Sequence, residues 1–107
     1  MDWGKVVQDM LNAAKKSAGK DWGKLRDYAE NEFKNLATVA SQIDDRKKKG
    51  TITEINASFL MGQYQAASRG VMFAIESLTN LVIQNAWNAA MLVLSSAINT
   101  AIGWALL

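Results

Sequence analysis

The sequence predicts an all-α fold, either an antiparallel helical hairpin or an up-down four-helix bundle, with a connection near residues 49–52. The 107 residues include no proline, which would interrupt a helix. Apolar residues recur at helical spacing, and one strong break divides the chain. The length fits a single all-helical domain, residues 1–107.

The first half of the chain, residues 1–50, begins as an amphipathic helix. Asp2 stands where an N-cap residue accepts a backbone hydrogen bond. The segment SAGK, residues 17–20, leaves two interpretations open. Either Asp21 caps a second helix, or one long helix continues through Gly19 at a cost of about 1 kcal/mol. The apolar stripe contains Trp3, Val6, Val7, Met10, Leu11, Ala14, Trp22, Leu25, Ala29, Phe33, Leu36, Ala40 and Ile43.

The clearest break is the segment DDRKKKGTITE, residues 44–54. Its basic residues 46–49 are of the kind that stabilises the carboxyl end of a helix. Gly50 suits the position after that end, because glycine adopts positive φ without steric cost. Either Thr53 caps the next helix, or Thr51 and Glu54 form a capping box. A connection this short predicts that the flanking helices are antiparallel neighbours.

The second half, residues 53–107, has no strong stop signal, since Gly62, Gly70 and Gly103 are isolated. A modest break at residues 77–80 predicts two helices. Without that break, one helix runs to the carboxyl terminus. The sequence leaves both interpretations open.

Charge divides the chain into two unlike halves. Residues 1–54 hold eleven of the twelve Lys and Arg and nine of the ten Asp and Glu. The half that follows is nearly uncharged, with only Arg69 and Glu76. The first half is therefore a charged amphipathic chain, and the second is mainly hydrophobic.

The two charged residues of the second half suggest a register. If the halves fold back on each other about residue 50 or 51, Glu32 lies opposite Arg69 and Arg26 lies opposite Glu76. We expect these pairs to define the register more than the stability, because an exposed ion pair contributes only about 0–1 kcal/mol.

The composition excludes several kinds of functional site. The chain has no cysteine and no histidine, which removes thiolate ligands, the commonest metal ligand and the commonest general base. Carboxylate-bridged metal sites in helix bundles need Glu-x-x-His motifs. The sequence therefore predicts no catalytic residue, no metal, no cofactor and no small-molecule substrate, and the protein is expected not to be an enzyme. The basic residues 46–49 follow two acidic residues and lack interleaved aromatic residues, so no nucleic-acid partner is predicted.

Residues 81–107 carry no charged side chain, yet polar side chains recur in them at helical spacing. A helix that is apolar around most of its girth has to be covered, and a small chain has little surface with which to cover it. The predicted oligomer or membrane interface consists of Leu81, Gln84, Trp87, Asn88, Met91, Leu92, Ser95, Ile98, Asn99, Ile102 and Trp104.

Two coverings are consistent with this segment. Copies of the chain would pack their helices together and share amide hydrogen bonds across the seam. A membrane would instead place Trp87 and Trp104, about 25 Å apart along a helix, near the two faces of a hydrocarbon layer about 30 Å thick.

The sequence thus predicts a non-enzymatic helical protein that self-associates through its uncharged C-terminal helix, as a homo-oligomer. One alternative is a membrane-active or membrane-embedded helical protein, pore-forming or toxin-like. Another is a metal-free ferritin-like bundle that binds an apolar ligand or a partner helix. No secretory signal pattern is visible, so a cytoplasmic, signal-independent secreted or membrane-associated location is expected.

Overall fold

The computed structural model describes residues 1–107 and confirms an all-α fold without strands. Each half of the chain contains two helices, which settles both questions that the sequence leaves open. The molecule measures 44 × 22 × 18 Å along its principal axes. The elements are α1 (Trp3–Ala18), a 3-10 turn (Gly19–Asp21), α2 (Trp22–Lys48), α3 (Glu54–Phe73) and α4 (Asn80–Ala101).

The chain reverses direction between α1 and α2. Asp2 caps α1 as predicted, because its carboxylate accepts the Lys5 backbone N–H at 3.1 Å. Gly19 follows α1 with φ of 57°, a conformation that side chains disfavour. The expected cap at Asp21 is absent, since the backbone of Asp21 is already helical and not extended. After the reversal, Trp3 lies across a groove from α2.

The connection between α2 and α3 follows the predicted chemistry. Gly50 has φ of 70°. The Thr51 N–H donates to the Arg46 carbonyl at 2.9 Å, and the Gly50 N–H donates to the Lys47 carbonyl at 2.9 Å. This pair of bonds satisfies carbonyls that the end of a helix leaves free. Thr53 then caps α3 by accepting the Asn56 N–H at 3.2 Å.

The modest break near residues 77–80 is real. Helix α3 ends at Phe73, and Thr79 caps α4 by accepting the Val82 N–H at 3.3 Å. Beyond α4 the backbone turns at Gly103, whose φ is 81°. The final residues fold back, and Leu106 is buried.

Helix α1 covers α4. The most extensive packing in the molecule joins α1 to α4, followed by α1 to α2 and α2 to α3, whereas α3 and α4 touch little. In the core, the ring centroids of Phe33 on α2 and Trp87 on α4 lie 6.5 Å apart. Burying an aromatic or large aliphatic side chain stabilises the fold by about 1.5–3 kcal/mol. The core therefore lies mainly among α1, α2 and α4, and α3 is attached chiefly through α2.

Candidate functional site

The predicted interface on α4 is divided by the structure into buried and exposed parts. Four of its large apolar members lie in the core of the same chain, whereas Leu81 and Leu92 are exposed. As an interface between copies or with lipid, the set stays a prediction. The buried members are Trp87, Met91, Ile98 and Ile102; the exposed members are Leu81, Asn88, Leu92 and Asn99; Gln84, Ser95 and Trp104 are half-buried.

The reason for this division is that α1 supplies the cover that so short a chain was not expected to have. Val6, Met10 and Ala14 form the buried stripe of α1. They complement the buried stripe of α4, in which residues recur every three or four positions. One helix laid along another covers about half of its girth, and the apolar half of α4 faces inward.

The outward side of α4 is a polar seam with two large apolar residues. Leu81 is 70% exposed and Leu92 is 74% exposed. Exposed Asn85, Asn88 and Asn99 share the face of these leucines, because all five lie at spacings of three, four or seven residues. This face, which we call the α4 seam, has no charge.

One side of the polar stripe forms hydrogen bonds within the chain. Arg69 on α3 donates to the Gln84 amide oxygen at 3.0 Å, and the Gln84 amide nitrogen donates to Asn88 at 2.8 Å. The Arg69 guanidinium also lies 4.6 Å from the centre of the Phe73 ring. These contacts tie the thinly packed α3 and α4 together near one end.

The predicted ion pair between Glu32 and Arg69 does not form. Ser68 lines the cleft between α2 and α3 together with Glu32. The next residue, Arg69, is rotated by about 100° around the helix and reaches α4 instead. Glu32 is buried and accepts a hydrogen bond from the Asn31 amide at 2.9 Å.

The predicted ion pair between Arg26 and Glu76 is also absent. Instead, the Nε atom of Arg26 lies 3.4 Å from the Oδ1 atom of Asp27. Glu76 is in the turn that follows α3, so it does not occupy the helical position that the pairing requires.

The least covered helix is α3, and the sequence reasoning missed it. Only Ala57, Met61, Ser68 and Met72 of α3 are buried. On the opposite side Ile55 is 82% exposed and Phe59 is 67% exposed. The signal was present in the sequence, since residues 55 and 59 are four apart and therefore share a helix face.

Between α3 and α4 runs a groove that is open to the surface. Its lining includes Gln65, Leu92 and Ser95, and Leu107 reaches it from the carboxyl end. Leu92 belongs to the α4 seam, so the seam forms one wall of the groove. The α4 seam has no charged residue, and α3 has two, Glu54 and Arg69.

Lys47 has a structural partner at the end of α4. Its ammonium group donates to the Ile102 carbonyl and lies 4.6 Å from the centre of the Trp104 ring. A cation is stabilised at this position, because the last carbonyls of a helix carry partial negative charge. Part of the basic run at residues 46–49 therefore anchors the carboxyl-terminal turn.

Helix α4 is long and apolar enough to cross a membrane, and 39% of its most apolar window is buried within the chain. A core helix satisfies the same criteria. No group of three or more Asp or Glu side chains is arranged to hold a metal ion. No protein-family model, curated protein or solved structure matches this chain.

Proposed function

We propose that the chain is a non-enzymatic helical protein, an up-down bundle of four helices that self-associates through the uncharged surface of α3 and α4. The observation that carries this proposal is the exposure of large apolar side chains on a surface with almost no charge. Four large apolar side chains are each at least 67% exposed: Ile55, Phe59, Leu81 and Leu92. By contrast, the outer faces of α1 and α2 contain most of the lysines and carboxylates.

Charge governs which surfaces of two copies tolerate contact. The lysine-rich faces repel each other and keep their hydration. The surface of α3 and α4 has little charge to repel a second copy and little charge to hold water. Its amide side chains are able to form hydrogen bonds across a contact. Ile55 and Phe59 are neighbours on one helix face, and neighbouring exposed apolar residues commonly mark an interaction surface.

Sedimentation velocity without detergent, over a wide range of micromolar concentrations, tests the proposal. We expect the weight-average mass to rise with concentration. Introducing lysine at both positions in Phe59→Lys plus Leu92→Lys should abolish the rise. Tyr28→Lys is the matched control, because Tyr28 is a half-exposed aromatic residue on the charged helix α2. If the wild-type chain remains a monomer at every concentration, the proposal is wrong.

A membrane-active role is the second candidate, and the length and hydropathy of α4 favour it. In that role α4 would leave its cover of α1 and expose Trp87 to lipid. Flotation with neutral and with anionic vesicles tests it. Absence of the protein from both floated fractions counts against this role.

A further inference from the structure

The cleft between α2 and α3 contains a buried carboxylate without a cation beside it. Glu32 is 7% exposed and forms no salt bridge with any lysine or arginine. Asp44, the only other buried acid, pairs with Lys48 at 3.4 Å. Buried carboxylates are normally paired, because an ion loses its hydration on burial. Glu32 therefore lacks the cationic partner that a buried carboxylate requires.

One oxygen of this carboxylate is open to the cleft. The Oε2 atom of Glu32 accepts the Asn31 amide at 2.9 Å, whereas Oε1 accepts no hydrogen bond from the chain. No fully enclosed side-chain oxygen in the molecule lacks a hydrogen bond. The Oε1 atom is therefore accessible, and it is accessible from the cleft that Glu32 lines.

The cleft has unlike ends. Its volume is about 380 Å³. Because α2 and α3 are antiparallel, Glu32 and Ser68 lie at the end remote from their connection. Gln42 lies at the near end, about 15 Å away along α2. Val39 and Ala67 line the part between. The cleft thus has one anionic end, an apolar middle and a neutral polar end.

The anionic end offers three hydrogen-bond acceptors. Ser68 is 4% exposed, and its hydroxyl borders the same cleft as Glu32. Asn35 follows Glu32 by three residues, so its amide shares that helix face. A primary ammonium group has three donors and no acceptor. The number and kind of these groups match an ammonium group, whereas Glu32 would repel an anion.

We propose that this cleft binds a primary ammonium group on an aliphatic stem, with the ammonium at Glu32 and the stem along Val39 and Ala67. A free alkylamine and the lysine side chain of a peptide both have this chemistry. The proposal does not depend on self-association, because the cleft lies on the α2 side of α3. A wholly apolar ligand would leave the carboxylate unpaired, which is unfavourable.

The nearest cation of the chain is already engaged elsewhere. Arg69 follows Ser68, but its guanidinium donates to Gln84 at 3.0 Å and lies 4.6 Å from the centre of the Phe73 ring. It points toward α4 and away from α2. The partner of Glu32 therefore comes from outside the chain.

Amide chemical shifts of nitrogen-15-labelled protein, titrated with n-butylamine hydrochloride at constant pH and ionic strength, test the site. This amine has the four carbon atoms and the ammonium group of a lysine side chain. We expect saturable shifts around Glu32 and Ser68, with a dissociation constant of about 1 mM or lower. Neutral 1-butanol, of the same length, should not give them. Absence of saturable shifts with the amine overturns the proposal.

Three variants locate the site. Glu32→Gln keeps the size of the side chain and removes its charge, so it should weaken binding at least about tenfold. Glu30→Gln removes an exposed carboxylate of the same helix and should leave binding unchanged. Equal binding by Glu32→Gln and wild type contradicts the site. If the amine binds only to Arg69→Gln, the chain's own Arg69 pairs with Glu32 in solution and the proposal is wrong.

Thermal unfolding without ligand gives an independent measurement. Glu32→Gln should raise the midpoint by about 4 °C or more, because it removes a buried charge that has no partner. Asp44→Asn should not raise it, since Asp44 has Lys48 as its partner. A lower midpoint in Glu32→Gln would show that the carboxylate is already paired within the chain, against the proposal.

A lysine derivative distinguishes the two sources of the ammonium group. Nα-acetyl-lysine methylamide adds two peptide groups, which are able to bond with the polar groups of Gln42 and Tyr64. Binding tighter than that of n-butylamine assigns the site to a lysine of a peptide. Binding that is equal or weaker assigns it to a free amine.

Discussion

Helices α3 and α4 are both nearly free of charge, yet the structure covers them very differently. Seven residues of α4 are buried, including Trp87 and Leu94, whereas α3 buries four. The cover of α4 is α1, which lies along it, whereas α3 is held mainly by α2. Lack of charge therefore does not identify the exposed helix. The width of the apolar stripe and the presence of a matching neighbour decide it.

The difference follows from how many apolar residues the buried stripe of each helix contains. The buried side of α4 has Ile83, Trp87, Leu94 and Ile98 at helical spacing, which gives α1 a continuous apolar surface. The buried side of α3 has Met61 and Met72, but its other members are an alanine and a serine. Ile55 and Phe59 are on the other side.

The largest expected effect contrasts two phenylalanines. Phe33 is fully buried beside Trp87, so Phe33→Ala should lower the free energy of unfolding by about 3–5 kcal/mol. Phe59→Ala should change the free energy of unfolding of the monomer by less than about 0.5 kcal/mol, since Phe59 is on the surface. Urea unfolding of dilute protein measures both. Comparable losses in the two variants would mean that the outer side of α3 is covered within one copy.

Caps and turns were the most predictable parts of the fold. Asp2, Gly50 and Thr53 all act as the sequence indicates, because each role depends on one residue and its nearest backbone groups. Asp21 begins the same tetrapeptide as Asp2, DWGK, but it does not cap α2, since the 3-10 turn has already made its backbone helical. A capping residue is predictable from the local sequence unless a neighbouring element holds its backbone in another conformation.

The candidate surface was less predictable, because it depends on which helix covers which. Trp87 and Ile98 carry the strongest apolar signal in the chain's last segment, and for that reason they are in the core. Ile55 and Phe59 are preceded by Glu54 and interspersed with polar residues, so their face looks ordinary in sequence. Only the placement of α1 on α4 shows which apolar residues remain outside.

Hydrogen exchange should separate the two uncharged helices. Few buried contacts lower the free energy of local opening. In dilute protein we expect amides in the middle of α3 to exchange at least about tenfold faster than those of α4, a difference of about 1.4 kcal/mol. Peptide-resolved mass spectrometry measures this difference.

Concentration provides the internal control for that measurement. Protection of α3 should rise with protein concentration if its outer side contacts a second copy, because binding stabilises the closed state. Protection of the core residues of α2 should not change. Equal protection of α3 and α4 in dilute protein would contradict the contrast between these helices.

The anchor of α4 should give a smaller effect. Lys47→Ala removes the hydrogen bond to the Ile102 carbonyl and the contact with Trp104, so the free energy of unfolding should fall by about 1–2 kcal/mol. Lys48→Ala is the control, because Lys48 is exposed and pairs only with Asp44. Urea unfolding measures both, and the fluorescence of Trp104 should change in Lys47→Ala alone. If both variants lose the same stability, Lys47 is no anchor.

The smallest expected effect concerns Arg26 and Glu76, which the sequence pairs and the structure separates. A double-mutant cycle of Arg26→Glu, Glu76→Arg and the combined exchange measures their coupling in dilute protein. We expect a coupling within about 0.5 kcal/mol of zero, as for residues without a shared contact. The turn after α3 keeps Glu76 off the helix that would face α2. A coupling above about 1 kcal/mol would mean that α3 continues past Phe73 in solution, and the contrast between α3 and α4 would then need a different boundary.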